Sequence, residues 1–279
     1  MISLTGSGDP MTELASLTLE LRPQHHQTIP QWLGRATHAW FLQSVGKIHS
    51  NLSKHLHDMN QLKPFTVSNL IGGKRQRGMV QLHPKQTYRL RVTTLHSDLT
   101  SILKHGLTGL WWRNGIQLHD QQFHLVNVQT HGDWNIETLY YDLLSNASSN
   151  PYLKINFGAP TTFKQTGQEM LPFPISELVF QSLLTRWESY ANVPLEMDIM
   201  SYVRHSVKIH AYKTQSQTAR FIHGGHTEYV TGFTGEAVYH LGNNPQAIQI
   251  LNALGEYSLF SGIGMKTTMG LGQCRMIPA

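Results

Sequence analysis

The hydrophobic pattern of this chain switches between periods of two and of 3.6 residues in one order, and that order occurs twice. Residues 14–21 alternate apolar and polar as a half-buried strand does, and Pro23 ends the run. From Ile29 the repeat lengthens. Ile29, Trp32, Leu33, Ala36 and Trp40 recur at helical spacing, with Pro30 where a first turn tolerates it, which predicts a helix reaching Ile48. After a His-rich link, residues 63–73 form an apolar, β-branched run, and in 86–95 Tyr88, Leu90 and Val92 alternate with Arg89 and Arg91. Both stretches predict strands, with the basic segment 72–78 between them as a turn or loop. Ser97 is placed to cap a short helix ending by Gly106, and 116–129 closes in strand-like alternation.

The second half repeats this series. Residues 152–158 predict a strand, 176–190 an amphipathic helix, 206–214 and 227–241 strands, 246–256 a helix, and the tail from Met269 a last strand. Two β-α-β-β-α-β series in tandem define an α+β chain of two ferredoxin-like (split βαβ) domains. The expected divisions are 1–12 as a disordered extension or tag, 13–148 as the first domain and 149–279 as the second. The Ser- and Asn-rich segment 145–151 serves as linker. Sheets of this kind also frame common RNA-recognition modules, but a fold hosts many functions and the site must carry the assignment.

Composition narrows the partners. The 22 Lys and Arg exceed the 17 Asp and Glu by five, while 17 His occupy a chain of only 14% charged residues, which favours a polyanionic partner. The single Cys274 excludes an internal disulfide and a thiolate cluster, so a reducing, cytoplasmic location is expected. No apolar run reaches the roughly 18 residues of a membrane span, and no basic-then-apolar leader opens the chain. The sparse carboxylates include no Asp-x-Asp pair for magnesium. The close His pairs 25/26, 55/57 and 223/226 lack the i, i+4 spacing and carboxylate of a zinc helix, so neither metal nor cofactor is expected.

The densest local signal is residues 261–272, Ser-Gly-Ile-Gly-Met-Lys-Thr-Thr-Met-Gly-Leu-Gly. A nucleotide P-loop needs four residues between its glycines and then Lys and Ser/Thr, whereas five separate Gly264 from Gly270, and Leu271 follows. A dinucleotide fingerprint needs Gly where Thr267 stands and a helix beyond, but only seven residues remain after Gly272. The stretch is too long and too polar at its centre for a tight hairpin turn. Gly262, Gly264, Gly270 and Gly272, with Lys266 between them, strongly resemble the glycine-rich loop of the CRISPR-associated repeat-cleaving endoribonucleases, the Cas-six family of the RAMP superfamily. Segments 56–70, 156–163, 171–187 and 232–235 resemble further stretches of that family.

The resemblance implies a metal-independent cut of precursor CRISPR RNA within its repeats. In this reaction a ribose 2′-hydroxyl attacks the adjacent phosphate, leaving a 2′,3′-cyclic phosphate and a 5′-hydroxyl. Such chemistry needs a base, an acid and fixed positive charge. By motif, His57 falls on the family's catalytic histidine and Lys63 on its transition-state lysine. Leu42 falls where some members carry a catalytic Tyr, a departure that leaves a three-residue mechanism open. His38 on the first predicted helix is the rival histidine. It lies about 160° from Trp40 and hence away from the core stripe, with Arg35 about 60° from it as an RNA contact. Lys74, Arg75 and Arg77 in the basic turn, Lys266 and the loop glycines, and with less specificity Arg204, Lys208, Lys213 and Arg220, are the expected RNA-binding residues. Trp111 and Trp112 are placed as core and rim or as a base-stacking pair. A function of another class shares these features: a subunit that holds guide RNA beside other subunits of a CRISPR effector complex without cutting it.

Overall fold

The computed structural model describes residues 12–59, 62–108, 115–129, 132–164, 169–223 and 226–279. Nearly all of the expected extension 1–12, together with Trp111 and Trp112, lies outside them. The chain divides into two compact units, Met1–Leu139 and Tyr140–Ala279.

The first unit is built on β1 (Leu14–Pro23), which is hydrogen-bonded along both edges. Its partners are β6 (Tyr88–Thr94) and β8 (Gln121–Gln129), and β6 also pairs with the short β3 (Phe65–Val67). With β7 (Ile116–Leu118) beyond β8, the sheet order is β3-β6-β1-β8-β7, antiparallel throughout. β9 (Ile136–Thr138) also pairs with β1, at its start. Period-two patterning puts Leu17, Leu19 and Leu21 on one face. There they are buried in one cluster with Phe41 and Val45 of α1 (Gly34–Ile48) and Leu99 and Leu103 of α3 (Ser97–Thr108).

Three local expectations change. The first helix begins at Gly34, because Ile29 and Pro30 belong to β2 (Gln27–Pro30), which pairs with β5 (Met79–Leu82). The Asn69 amide closes this entry, accepting from Leu33 N at 2.8 Å and donating to Gln31 O at 2.7 Å, so a buried side chain 36 residues away overrides the helical spacing. The His-rich link folds as α2 (Ser50–Asp58), capped by His49, whose Nδ1 accepts from Leu52 N at 3.1 Å. The basic segment is the tip of a small sheet. β4 (Arg75–Gln76) meets β5 through Arg77 and Gly78, both with positive φ, as a two-residue hairpin turn requires.

The second unit repeats the order of the main strands, with β11 (Phe163–Lys164) and β12 (Met170–Leu171) forming a separate antiparallel pair. Its sheet runs β13 (Lys208–His223), β14 (His226–His240), β10 (Tyr152–Thr161), β15 (Cys274–Ile277), again antiparallel with the first strand inside. The strand expected from 206 starts at Lys208, because Asp198 caps α6 (Ile199–Ser206), accepting from Ser201 N at 2.9 Å. α5 (Ser176–Tyr190) and α7 (Pro245–Ser261) supply the buried Val179, Leu183, Leu251 and Leu254. At the centre, Trp187 lies edge-on to Tyr140 of α4 (Tyr140–Ser145) at 5.0 Å and to Tyr257 at 5.3 Å. The tail strand begins at Cys274 rather than Met269, since Thr267–Met269 form a 3-10 turn.

The fully buried Trp187 is the test of this core. Trp187→Ala is expected to destabilise the second unit by about 3–5 kcal/mol, read as a lowered urea midpoint by tryptophan-independent circular dichroism.

Candidate functional site

The end of α2 gathers two of the residues singled out by sequence. The helix stops at Met59, whose backbone is extended, and its last carbonyls are left without helical donors. Lys63 supplies them: its ammonium donates to Leu56 O, to His57 O at 3.2 Å and to Met59 O at 3.1 Å. A cation is favoured at a helix C-terminus. Partial burial pulls the Lys63 pKa below the usual lysine value, and the Asp58 charge opposes that shift. His57 projects from the same turn with its side chain 77% exposed, Nδ1 lying 3.3 Å from Asp58 Oδ1. The structure therefore joins His57 and Lys63 through the backbone of one turn.

His38, on α1, packs on the strand that follows Lys63 in the chain. Its ring is half-buried and stacked on Phe65 of β3, centroids 5.6 Å apart and planes 27° apart, rather than free on an exposed helix face. Leu42, on the same helix, is buried. Arg35 in the first turn of α1 is half-buried, Lys74 and Arg77 are exposed at the small sheet, and the Arg75 side chain lies outside the described residues. Lys208, Lys213 and Arg220 are exposed along β13, and Arg204 lies 4.0 Å from Glu177.

The glycine-rich segment of the second unit is a packed loop. Ile263 and Leu271 are fully buried, and Gly262, Gly264, Gly270 and Gly272 all have positive φ. Two of these positions admit no side chain at all: a Cβ on Gly264 would stand 2.5 Å from Thr162 O, and one on Gly272 would collide with the Ile263 carbonyl oxygen. Ile263 N donates to Gly272 O, Gly272 N to Pro160 O and Met265 N to Thr162 O, at 2.9, 2.9 and 3.1 Å, so the loop is stitched to itself and to the end of β10. Lys266, in the left-handed region, reaches back to Glu228 of β14, Nζ to Oε1 3.0 Å, and lies 5.9 Å from the Phe221 ring centroid.

Four residues that sequence reasoning passed over hold this loop: Thr162, Ser182, Arg186 and Glu228. Arg186 had a legible signal. It falls three residues after Leu183 and seven after Val179, a lone cation on the apolar stripe of α5. Its Nη2 donates to Gly264 O at 2.6 Å. Among the described residues, no group of three or more His, Cys, Asp or Glu is arranged to hold a metal ion, and no helix is long and apolar enough to cross a membrane.

Two α+β units that share the order of their four main strands, one with a His- and Lys-bearing helix end and the other with a glycine-rich loop before its last strand, define a tandem ferredoxin-like fold. The sequence matches the CRISPR Cas6 N-terminal domain over residues 14–141 and the CRISPR-associated endoribonuclease Cas6 over 155–274, and the chain belongs to the Cas6 family. It is 26% identical over 137 residues to the CRISPR-associated endoribonuclease Cas6 of Streptococcus thermophilus, and 31% identical over 126 residues to that of Mycobacterium tuberculosis. Those stretches cover 48% and 45% of this chain, and 54% and 38% of the relatives, so the chain spans about half or less of the curated relatives it matches. Among solved structures it resembles the Cas6 (TTHB231) product complex, with TM-score 0.79 and 23% identity, covering 95% of this chain and all of that one. Thermus thermophilus Cas6 (TTHB231) gives TM-score 0.72 at 22% identity, covering 96% of this chain and all of that one. A structure described as a RAMP protein binding different RNA substrates gives 0.62 at 12%, covering 95% and all.

Gly272→Ala tests the packed loop. Left-handed strain and the clash with Ile263 O are expected to cost about 2 kcal/mol or more. Differential scanning calorimetry should show a second-unit transition lowered by about 5 °C.

Proposed function

We propose that this protein is a repeat-specific endoribonuclease that binds precursor CRISPR RNA and releases unit guide RNAs by metal-independent transesterification. The observation that carries the reading is the pairing of His57 and Lys63 on one helix end within a chain matched along both halves by Cas6 domains. In the proposed step a base removes the 2′-hydroxyl proton as the 2′-oxygen bonds to phosphorus. The bond from phosphorus to the 5′-oxygen breaks, and an acid protonates the leaving oxygen. His57 is assigned to proton transfer. Its Nδ1 faces Asp58, which leaves Nε2 as the ring nitrogen for the substrate. Lys63 is assigned to the charge that develops on the phosphate. His38, stacked on Phe65, takes the second proton-transfer role.

RNA is held on this reading by the basic turn of Lys74, Arg75 and Arg77, by Arg35 and by the loop Gly262–Gly272 with Lys266. The expected location is the cytoplasm, where the transcript is made.

One observation favours the second reading, an RNA-holding subunit that does not cut: all three Lys63 N–H donors are occupied by carbonyls of the last turn of α2 and its C-cap Met59. Incubation of repeat RNA with protein in excess EDTA separates the two. Cleavage products ending in 2′,3′-cyclic phosphate are expected. Tight binding of intact RNA would favour the holding subunit, and activity only on magnesium addition would overturn the mechanism. His57→Ala is expected to lower single-turnover cleavage at least a hundredfold with repeat affinity kept. Full activity in that variant, with loss in His38→Ala, would move proton transfer to α1.

A further prediction concerns the loop cation. Because Glu228 neutralises Lys266, Glu228→Gln should tighten repeat binding and steepen its salt dependence, whereas Lys266→Glu should weaken both. Filter binding across a salt series measures each.

A further inference from the structure

We propose that Arg186 is a positioning residue that shapes the glycine-rich loop and supplies its uncompensated positive charge for an RNA phosphate. This deepens the reading of the loop as an RNA-binding element and rests on it.

The geometry is specific. Arg186 lies in the C-terminal half of α5, 6% exposed. Its Nη1 donates to the Ser182 carbonyl at 2.9 Å and to Ser182 Oγ at 2.6 Å, one turn back on the same helix. Its Nη2 crosses to the loop and donates to Gly264 O at 2.6 Å. Ser182 Oγ completes the grip by accepting from Gly264 N at 2.8 Å. Both polar groups of Gly264 are thus fixed by two side chains of α5, at a residue whose φ of 82° only glycine adopts freely and whose missing Cβ lets Thr162 O approach. The planar fork of a guanidinium can bond helix and loop together, whereas an ammonium presents one point of charge.

Among the described residues Arg186 forms no ion pair, and its bonding partners are a hydroxyl and two carbonyls, all neutral. A buried charge is costly unless something compensates it, and removal from water lowers the Arg186 pKa. Lys266, the other cation at the loop, is cancelled by Glu228. The amides of Gly262, Ile263, Gly264, Met265, Met269, Leu271 and Gly272 already bond within the protein. A phosphate arriving at the loop therefore meets the field of Arg186 behind the Gly264 backbone to which it is bonded, and a buried charge is screened little by salt. The anion this charge is placed to meet is one phosphate of the bound RNA.

The test uses the full chain and a repeat RNA oligonucleotide, with folding checked by circular dichroism melting. Arg186→Met is expected to weaken binding at least tenfold and to reduce the slope of log affinity against log salt by about 1. Arg186→Lys should weaken binding severalfold while keeping the wild-type slope. Ser182→Ala, which leaves the charge in place but frees Gly264, should do the same. Should Arg186→Met fail to fold, the other two variants decide. Folded variants with wild-type affinity and slope overturn the proposal. Wild-type protein that does not bind repeat RNA would instead overturn the reading on which it rests.

Discussion

Each sheet depends on one constraint: its first strand is hydrogen-bonded on both edges. β1 takes β6 on one side and β8 on the other, and β10 takes β14 and β15. Every later strand must return to a sheet whose centre is already occupied. Connections therefore cross one face, and the helices that make them bury the apolar side of the central strand, Leu17 and Leu19 in one unit, Leu153 and Ile155 in the other. The other ends of those crossovers are where the chemistry-bearing residues sit. α2 lies between α1 and β3 in the chain, and the glycine-rich loop lies between α7 and β15.

Both locations solve the same local problem of ending a helix. At α2 the spare carbonyls are taken by the Lys63 ammonium, which ties that residue to the backbone of His57. At α7 the chain leaves through Gly262 in the left-handed region and folds back so that Ile263 N meets Gly272 O. The first solution leaves an exposed imidazole beside a held cation. The second leaves a rigid loop against β10, backed by a buried guanidinium. Charge in this protein is thus local. The net charge of +5 says little about where potential is strong, because Lys266, Lys154 and Lys104 are each paired with a carboxylate while Arg186 is not.

The order of elements was legible because hydrophobic period survives any tertiary arrangement: residues 14–21 and 176–190 carry their burial in their own spacing. The glycine-rich segment was legible too, since four glycines around buried Ile263 and Leu271 leave few backbones to choose from. The start of α1 was not. Ile29 and Trp32 have helical spacing, but pairing with Val80 of β5 claims Ile29 for a strand. α2 was hidden because its nine residues bury only Leu56 and its cap is a histidine. His38 was read as turned from the core, since helical angles know nothing of Phe65, which arrives from a strand 27 residues later.

Sequence by itself determined the class of the molecule: two α+β units with the same series of strands and helices, a packed glycine loop near the C-terminus, and His57 with Lys63 as the residues to examine. The units and the loop follow from period, spacing and backbone freedom, which are local properties, while His57 and Lys63 were marked by the resemblance of their segment to the family. Tertiary structure alone decided which charges are free. Lys266, read as the loop's cation, is neutralised by Glu228 from 38 residues away. Arg186, read only as part of an amphipathic helix, is buried against Gly264 from 78 residues away. The physical reason is that electrostatic pairing depends on distance in space, and the sequence records only distance along the chain.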